Sequence, residues 1–260
     1  MREIIMQQAR NAEERQVMGH AIDLVEKAKS TNTIQQTNFL SLGELQLYDI
    51  VINTIGGMTV KKYGGYDTAE RVCLALWPEE CDWCEPEFDM KAFHILPQDP
   101  EGLEHRDYLG SILGLGLKRD VCGDIIVRID GAYVIVDGKI GDYVYANLVS
   151  VSSEKVRLEE VPLNSLAISQ PKFVVMTITV MSMRLDSIIA KAFQLSRGVA
   201  ANFIRQGKVE VDHRLQDNAS TDVAEGNTIS CRGRGRCVVL KDLGKTRKGK
   251  IRLEIGFPSI

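Results

Sequence analysis

The stretch "RLDSIIAKAFQLSRGVAANFIRQGKVEVD", Arg184–Asp212, decides how the C-terminal part of this 260-residue chain folds. Leu185, Ile188, Ile189, Ala192 and Phe193 recur at i, i+3, i+4, i+7 and i+8, the pattern of a helix that buries one side. Ser196 stands where a second helix begins, and its hydroxyl can accept from one of the free backbone N–H groups there. Gly207 fits the position just past that helix, where the backbone turns left-handed. "KVEVD" then alternates, with Val209 and Val211 facing inward. The stretch therefore reads as two short helices leading into a strand, and "VAEGNTISCRG" adds a turn at Glu225-Gly226 and a further strand.

Positive charge is strewn over this unit. Arg184 opens the first helix, Arg197 and Arg205 lie on the second, and Lys208 follows its end. Beyond the turn, Arg232, Arg234 and Arg236 alternate with glycine in "RGRGR". Arg197 and Arg205 are separated by about 80° around a helix of 3.6 residues per turn, so they share a face. From Met183 onward, 15 of the 32 Lys and Arg residues stand against 8 of the 35 Asp and Glu, a local net charge of +7. The remainder holds 17 against 27, net −10, and the whole chain is at −3. A basic module on an acidic body points to a local polyanion contact, and nucleic acid is the polyanion expected. Guanidinium groups grip phosphate through paired N–H donors, and neighbouring glycines let backbone approach closely.

Upstream the pattern is mixed. Residues 1–30 read as amphipathic helix, "LGELQLYDIVINTI" as a second helix ended by Gly56-Gly57, and "MTVKKYGGYDTAERVCLALWP" as two strands around Gly64-Gly65. The middle runs strand ("KAFHILP"), helix ("RDYLGSILGLG", with Leu109, Ile112 and Leu113 on one face), then two strands joined at Asp130-Gly131. A helix ("KIGDYVYANLV") and a strand ("KVRLEEV") complete it. That β-α-β-β-α-β order predicts a ferredoxin-like domain, the layout of RNA-recognition motifs. "FVVMTITV" is a strand bridging to the basic unit. The expected whole is α+β: a mixed unit over 1–85, a ferredoxin-like domain over 86–165, the basic module over 180–245 and an extension over 246–260.

Two resemblances follow from these residues. Arg184-Leu185-Asp186, Ser196-Arg197, Ile204, Gly207 and Val209, with "DVAEGNTISCRGRGR", resemble the RNA-binding module named after ribosomal small-subunit protein S-four. The resemblance implies contact with structured RNA through Arg184, Ser196, Arg197, Arg205 and Lys208. "GGYDTAER" (64–71) and "HRDYLGSILGLGLKRDVCGDI" (105–125), followed by that module, resemble the YlmH family across nearly the whole chain. This implies a non-catalytic factor docking on ribosomal or transfer RNA, on the large ribosomal subunit, in ribosome-associated quality control. The competing reading is an RNA-modifying enzyme, of pseudouridine synthase or methyltransferase type, that uses the module to dock.

Other candidates are weighed on their residues. His105, Arg106, Lys118 and Arg119 flank the first middle helix as candidate RNA or partner contacts, and His105-Arg106-Asp107 reads equally as a helix-start network with Asp107 capping. The middle domain offers Tyr133 on its third strand but lacks the aromatic set that stacks unpaired bases, which argues against sequence-specific single-strand reading. "GLGLKR" follows a helix and lacks a third glycine, unlike a dinucleotide loop. "CDWC" (Cys81–Cys84) has metal-ligand or redox spacing with no second pair to answer it, so buried thiols are the alternative. No catalytic residue, metal or cofactor is expected. Without a membrane span, a signal pattern or a dense cysteine framework, the expected location is the cytoplasm.

Overall fold

The structure, a computed structural model, describes residues 1–81, 85–166 and 172–259. It divides into two compact units, Met1–Ile168 and Ser169–Ile260.

The first unit starts with α1 (Arg2–Met6), α2 (Ala12–Thr31), β1 (Gln35–Gln36), α3 (Leu42–Ile55), β2 (Met58–Tyr63) and β3 (Cys73–Pro78). Local chemistry sets the helix starts. Asn11 accepts from the Glu14 amide (2.8 Å) ahead of α2. Ser41 and Glu44 exchange bonds at the head of α3: the Ser41 amide donates to Glu44 (2.7 Å) and the Glu44 amide to the Ser41 hydroxyl (3.3 Å). The apolar faces of α2 and α3 close over Leu74 and Leu76 of β3, in a three-stranded sheet of order β1-β3-β2.

The unit continues with β4 (Met90–Pro97), α4 (His105–Gly114), β5 (Cys122–Arg128), β6 (Gly131–Asp137), α5 (Gly138–Asn147), β7 (Ser150–Val151) and β8 (Glu154–Val161). The sheet order β5-β6-β4-β8-β7, antiparallel throughout, is the ferredoxin-like order with one short strand added at β7. Phe93, Ile95, Val134 and Val136 pack with Tyr108 and Ile112 of α4 and Val144 of α5. The buried face of α4 is thus centred on Tyr108 and Ile112, while Leu109 and Leu113 flank it half-buried.

The sequence reading separates residues 1–85 from 86–165, whereas the structure packs both into one unit. The reason lies in strand alternation. Phe93 and Ile95 face the helices, so Ala92, on the other side of β4, and Ile135, on the other side of β6, form a second apolar face, which packs with Phe39 and Cys73 from the N-terminal half. Gly123 makes room for this: a Cβ there would stand 2.8 Å from the Phe39 ring. In an RNA-recognition motif that second face reads unpaired bases; here the chain's own side chains occupy its centre.

The second unit comprises β9 (Lys172–Val180), α6 (Leu185–Ala192), α7 (Arg197–Arg205), β10 (Val209–Val211), β11 (Arg214–Leu215), β12 (Thr228–Cys231), β13 (Gly235–Lys245) and β14 (Ile251–Ser259). Its sheet has the order β11-β10-β12-β13-β14-β9. Leu185, Ile188, Ile189, Ala200 and Ile204 of the helix pair bury against Val209, Ile229, Cys237, Val239, Leu253 and Ile255. Each large aliphatic side chain among them, fully buried, contributes about 1.5–3 kcal/mol. The chain end differs from expectation. Residues set apart as an extension over 246–260 supply β14, an inner strand paired with β13 on one side and with β9, over nine residue pairs, on the other. "FVVMTITV" is consequently one of the sheet's two edge strands, β11 being the other.

Candidate nucleic-acid interface

In the second unit, α6 and α7 start beside one another, and a single acidic side chain joins them. Asp186 is buried, at 7% side-chain exposure. Its carboxylate accepts from Arg184 (3.2 Å from both Nε and Nη2) and from Arg197 Nη2 (2.8 Å). Burial acts to raise the Asp186 carboxyl, and the two guanidinium groups outweigh it, holding the carboxyl below the usual carboxylate range. Their own side chains remain 38% and 57% exposed. Both are tethered to their own chain, and the triad keeps one net positive charge. A guanidinium has five N–H donors, so each retains donors beyond those Asp186 takes.

Ser196 acts locally as well, its hydroxyl accepting from the Val199 amide (3.3 Å) at the start of α7. From there α7 runs along its exposed side past Arg205 to Lys208, whose ammonium lies 5.4 Å from the centre of the Phe203 ring. The Arg232 amide donates to the Lys208 carbonyl (2.8 Å), which fastens the β12–β13 turn to the end of the helix. Lys208 and Arg234 both act on the buried Cys231 thiol, which burial pushes up and these two cations draw down. Arg205, Lys208, Arg232 and Arg234 all reach solvent. The stripe thus runs from the Arg184–Asp186–Arg197 triad along α7 to the Arg232–Arg234 turn.

Arg236 lies past this turn, within β13. Cys237, Ile229 and Cys231 face the helices, so Arg236 and its cross-strand partner Ser230 point to the opposite side of the sheet. The "RGRGR" phrase places three arginines in sequence; the first two lie in the turn between β12 and β13, and the third lies within β13 itself.

The four candidate positions in the first unit also separate. Arg119 turns inward, with Nη1 donating to the Gly123 carbonyl (3.0 Å) and to that of Cys122. Arg106 is exposed and pairs with Glu104 (3.3 Å), Lys118 is exposed, and Asp107 accepts from the Glu104 amide (2.8 Å) as the helix-start reading expects. Burial and Arg119 lower the pKa of His105, which otherwise reaches solvent. Near Arg119 the two long phrases of the first unit meet. Asp124 accepts from the Tyr66 hydroxyl (2.6 Å) and from the amides of Glu70 (2.7 Å) and Arg71 (3.1 Å). Arg71 donates to the carbonyls of Cys122 (3.1 Å), Phe39 (2.9 Å) and Arg119 (3.3 Å). "GGYDTAER" and "KRDVCGDI" are accordingly two halves of one clamp.

Sequence reasoning missed the tether Asp186. Its signal was an acid in the first turn of α6, two residues after Arg184, with Arg197 opening the next helix. Cys73, Cys81, Cys122, Cys231 and Cys237 are buried free thiols, and burial pushes Cys73 and Cys237 up to about 12. Cys84 lies outside the described residues, and with it the CxxC pair. Among the described residues no helix is long and apolar enough to cross a membrane.

The helix pair with its outward cations defines the class, an RNA-binding protein carrying an S4-type module. Residues 183–229 match the S4 domain, residues 84–165 the family described as "Putative RNA-binding domain in YlmH", and residues 13–81 the family described as "YlmH, N-terminal". The chain is 31% identical over 245 residues to a Bacillus subtilis (strain 168) protein named ribosome-associated protein quality control protein P2; the match covers 93% of this chain and 94% of that protein. This chain belongs to the YlmH family. A solved structure, cell division protein ylmH from Streptococcus pneumoniae, shares the fold with a TM-score of 0.53 at 23% identity, over 61% of this chain and 97% of that one.

Proposed function

We propose that this protein is a non-catalytic, ribosome-associated factor whose α6–α7 stripe grips the phosphates of folded ribosomal or transfer RNA on the large subunit during quality control. The observation that carries the reading is the run of solvent-facing cations, Arg205, Lys208, Arg232 and Arg234, continuing from two arginines that Asp186 holds in place. Contacts of this kind supply affinity and fix register, while base identity is read elsewhere or not at all. The name of the Bacillus subtilis relative supports the ribosomal setting. The family matched by residues 84–165 is described as a putative RNA-binding domain, which supports the RNA reading. No observation favours the RNA-modifying alternative.

The test is cosedimentation with purified Bacillus subtilis large ribosomal subunits across a salt series. Arg205→Glu with Lys208→Glu is the variant of choice, because neither side chain is tied to Asp186. Binding at moderate salt should be lost, and the salt dependence should flatten by roughly 0.7–0.9 log units per log unit of salt for each phosphate contact removed. Undiminished binding refutes the assignment.

A further inference from the structure

A second set of cations lies outside the S4-matched segment. Between Lys245 and Arg252, in "KTRKGKIR", five of eight residues are Lys or Arg, and no Asp or Glu occurs from Leu243 to Leu253. Lys245, Arg247, Lys248, Lys250 and Arg252 are all exposed, and none has an ion-pair partner among the described residues. The tip is an ordered turn. The Thr246 amide donates to the Lys250 carbonyl (2.7 Å), the Lys250 amide to the Thr246 hydroxyl (3.1 Å) and the Gly249 amide to the Thr246 carbonyl (2.9 Å), with Gly249 at a φ of 74°.

Charge at a sheet margin often serves to keep edge strands from pairing with other chains. That explanation fails here, since β13 and β14 are inner strands and the edge strands are β9 and β11. Nothing among the described residues accounts for five mutually repelling cations on this turn and the strand ends beside it. The position of the turn is also informative. The Arg232–Arg234 turn precedes β13 and the "KTRKGK" turn follows it, so the two lie at opposite ends of one strand, Gly235–Lys245. At 3.2–3.4 Å per residue that is roughly 30 Å. The Debye length is about 8 Å at physiological salt, so the two sets act as separate electrostatic sites.

We propose that the β13–β14 tip is a second phosphate-binding surface, contacting a segment of folded RNA different from the one gripped by the α7 stripe, so that this unit bridges two RNA segments. The inference rests on the RNA-binding reading of the unit and adds a second site to it. Separated contacts of this kind select for the fold of an RNA, because only a molecule placing two phosphate runs at that spacing satisfies both.

The test uses the full chain and refolded ribosomal RNA from purified Bacillus subtilis large subunits. A tip variant (K245Q, R247Q, K248Q, K250Q) is compared with a stripe variant (R205Q, K208Q, R232Q, R234Q) by salt-dependent filter binding and backbone footprinting. The tip variant should melt like the original protein, lose about 3 from the salt slope at roughly 0.7–0.9 per contact, and lose one protected segment that the stripe variant retains. If the tip variant keeps its slope and footprint while the stripe variant loses both, the tip inference falls and the RNA reading stands. Loss of the same segment in both variants overturns the two-site claim. If the original protein protects no RNA, the functional reading fails and takes the inference with it. A tip variant that binds RNA normally but no longer binds anionic vesicles or acidic protein assigns the surface to those partners instead, and overturns the proposal.

Discussion

Arg71 and Arg205 are the same residue type put to opposite uses in the two units. Arg71 sits in the clamp of the first unit, where burial lowers its pKa and the neighbouring Arg119 adds to the effect, and it spends its donors on three backbone carbonyls. Arg205 stands on the last turn of α7, exposed. The first arrangement costs desolvation and recovers it only through satisfied bonds; the second leaves the charge hydrated until a polyanion arrives. An arginine's role in this protein is therefore decided by whether backbone acceptors converge on it. Asp186 shows the intermediate case, with a buried acid and two cations facing partly outward.

The contrast can be broken by experiment. The largest effect is expected at Arg71: Arg71→Met strands three carbonyls, and unfolding by urea should show a loss of about 3 kcal/mol, with RNA affinity of the folded protein unchanged. A loss below about 1 kcal/mol would mean that the clamp does not hold the first unit together. Next comes Asp186→Asn. Removing the shared carboxylate should destabilise the second unit by about 1–3 kcal/mol at neutral pH. The folded-state pKa of Asp186 is depressed, so its contribution is present in full above its unfolded value of about 3.9 and fades as the pH falls through the folded one. Urea midpoints of the original and variant proteins should thus differ at neutral pH and draw together as the medium is acidified below that unfolded value. Equal separation at both would sink the tether. The smallest effect is Ser196→Ala, about 1 kcal/mol from the lost cap of α7, with little change in salt slope. A slope change as large as that of Arg205→Gln would make the Ser196 hydroxyl an RNA contact in addition to a cap.

Much of the architecture was readable because it follows local rules. Leu42–Ile55 is a helix with a capping pair ahead of it and glycine behind it, and the β-α-β-β-α-β order already implied the observed sheet. Ser196 as a cap and the apolar stripe of α6 were equally local. What failed to be readable involved a second element. The burial of the middle sheet's free face needed Phe39 to reach Gly123, and the inward turn of Arg119 needed the carbonyls of Cys122 and Gly123 to converge on it. Arg236 looked equivalent to Arg232 and Arg234 until the pairing of β12 with β13 put it in a strand and left the other two in the turn. The last fifteen residues read as an appendage because a strand's partners, β13 and β9, are named only by the sheet.

From its sequence alone, then, this protein has its helices, its strands, its family and the imbalance that loads positive charge onto the C-terminal unit. These depend on spacing and side-chain type, which act over a few residues. Which cations face water, which are held by Asp186 or by carbonyls, and that two basic sets lie at opposite ends of β13 were settled only in three dimensions. A charge's partners are chosen by distance in space, and strand pairing brings together residues far apart along the chain.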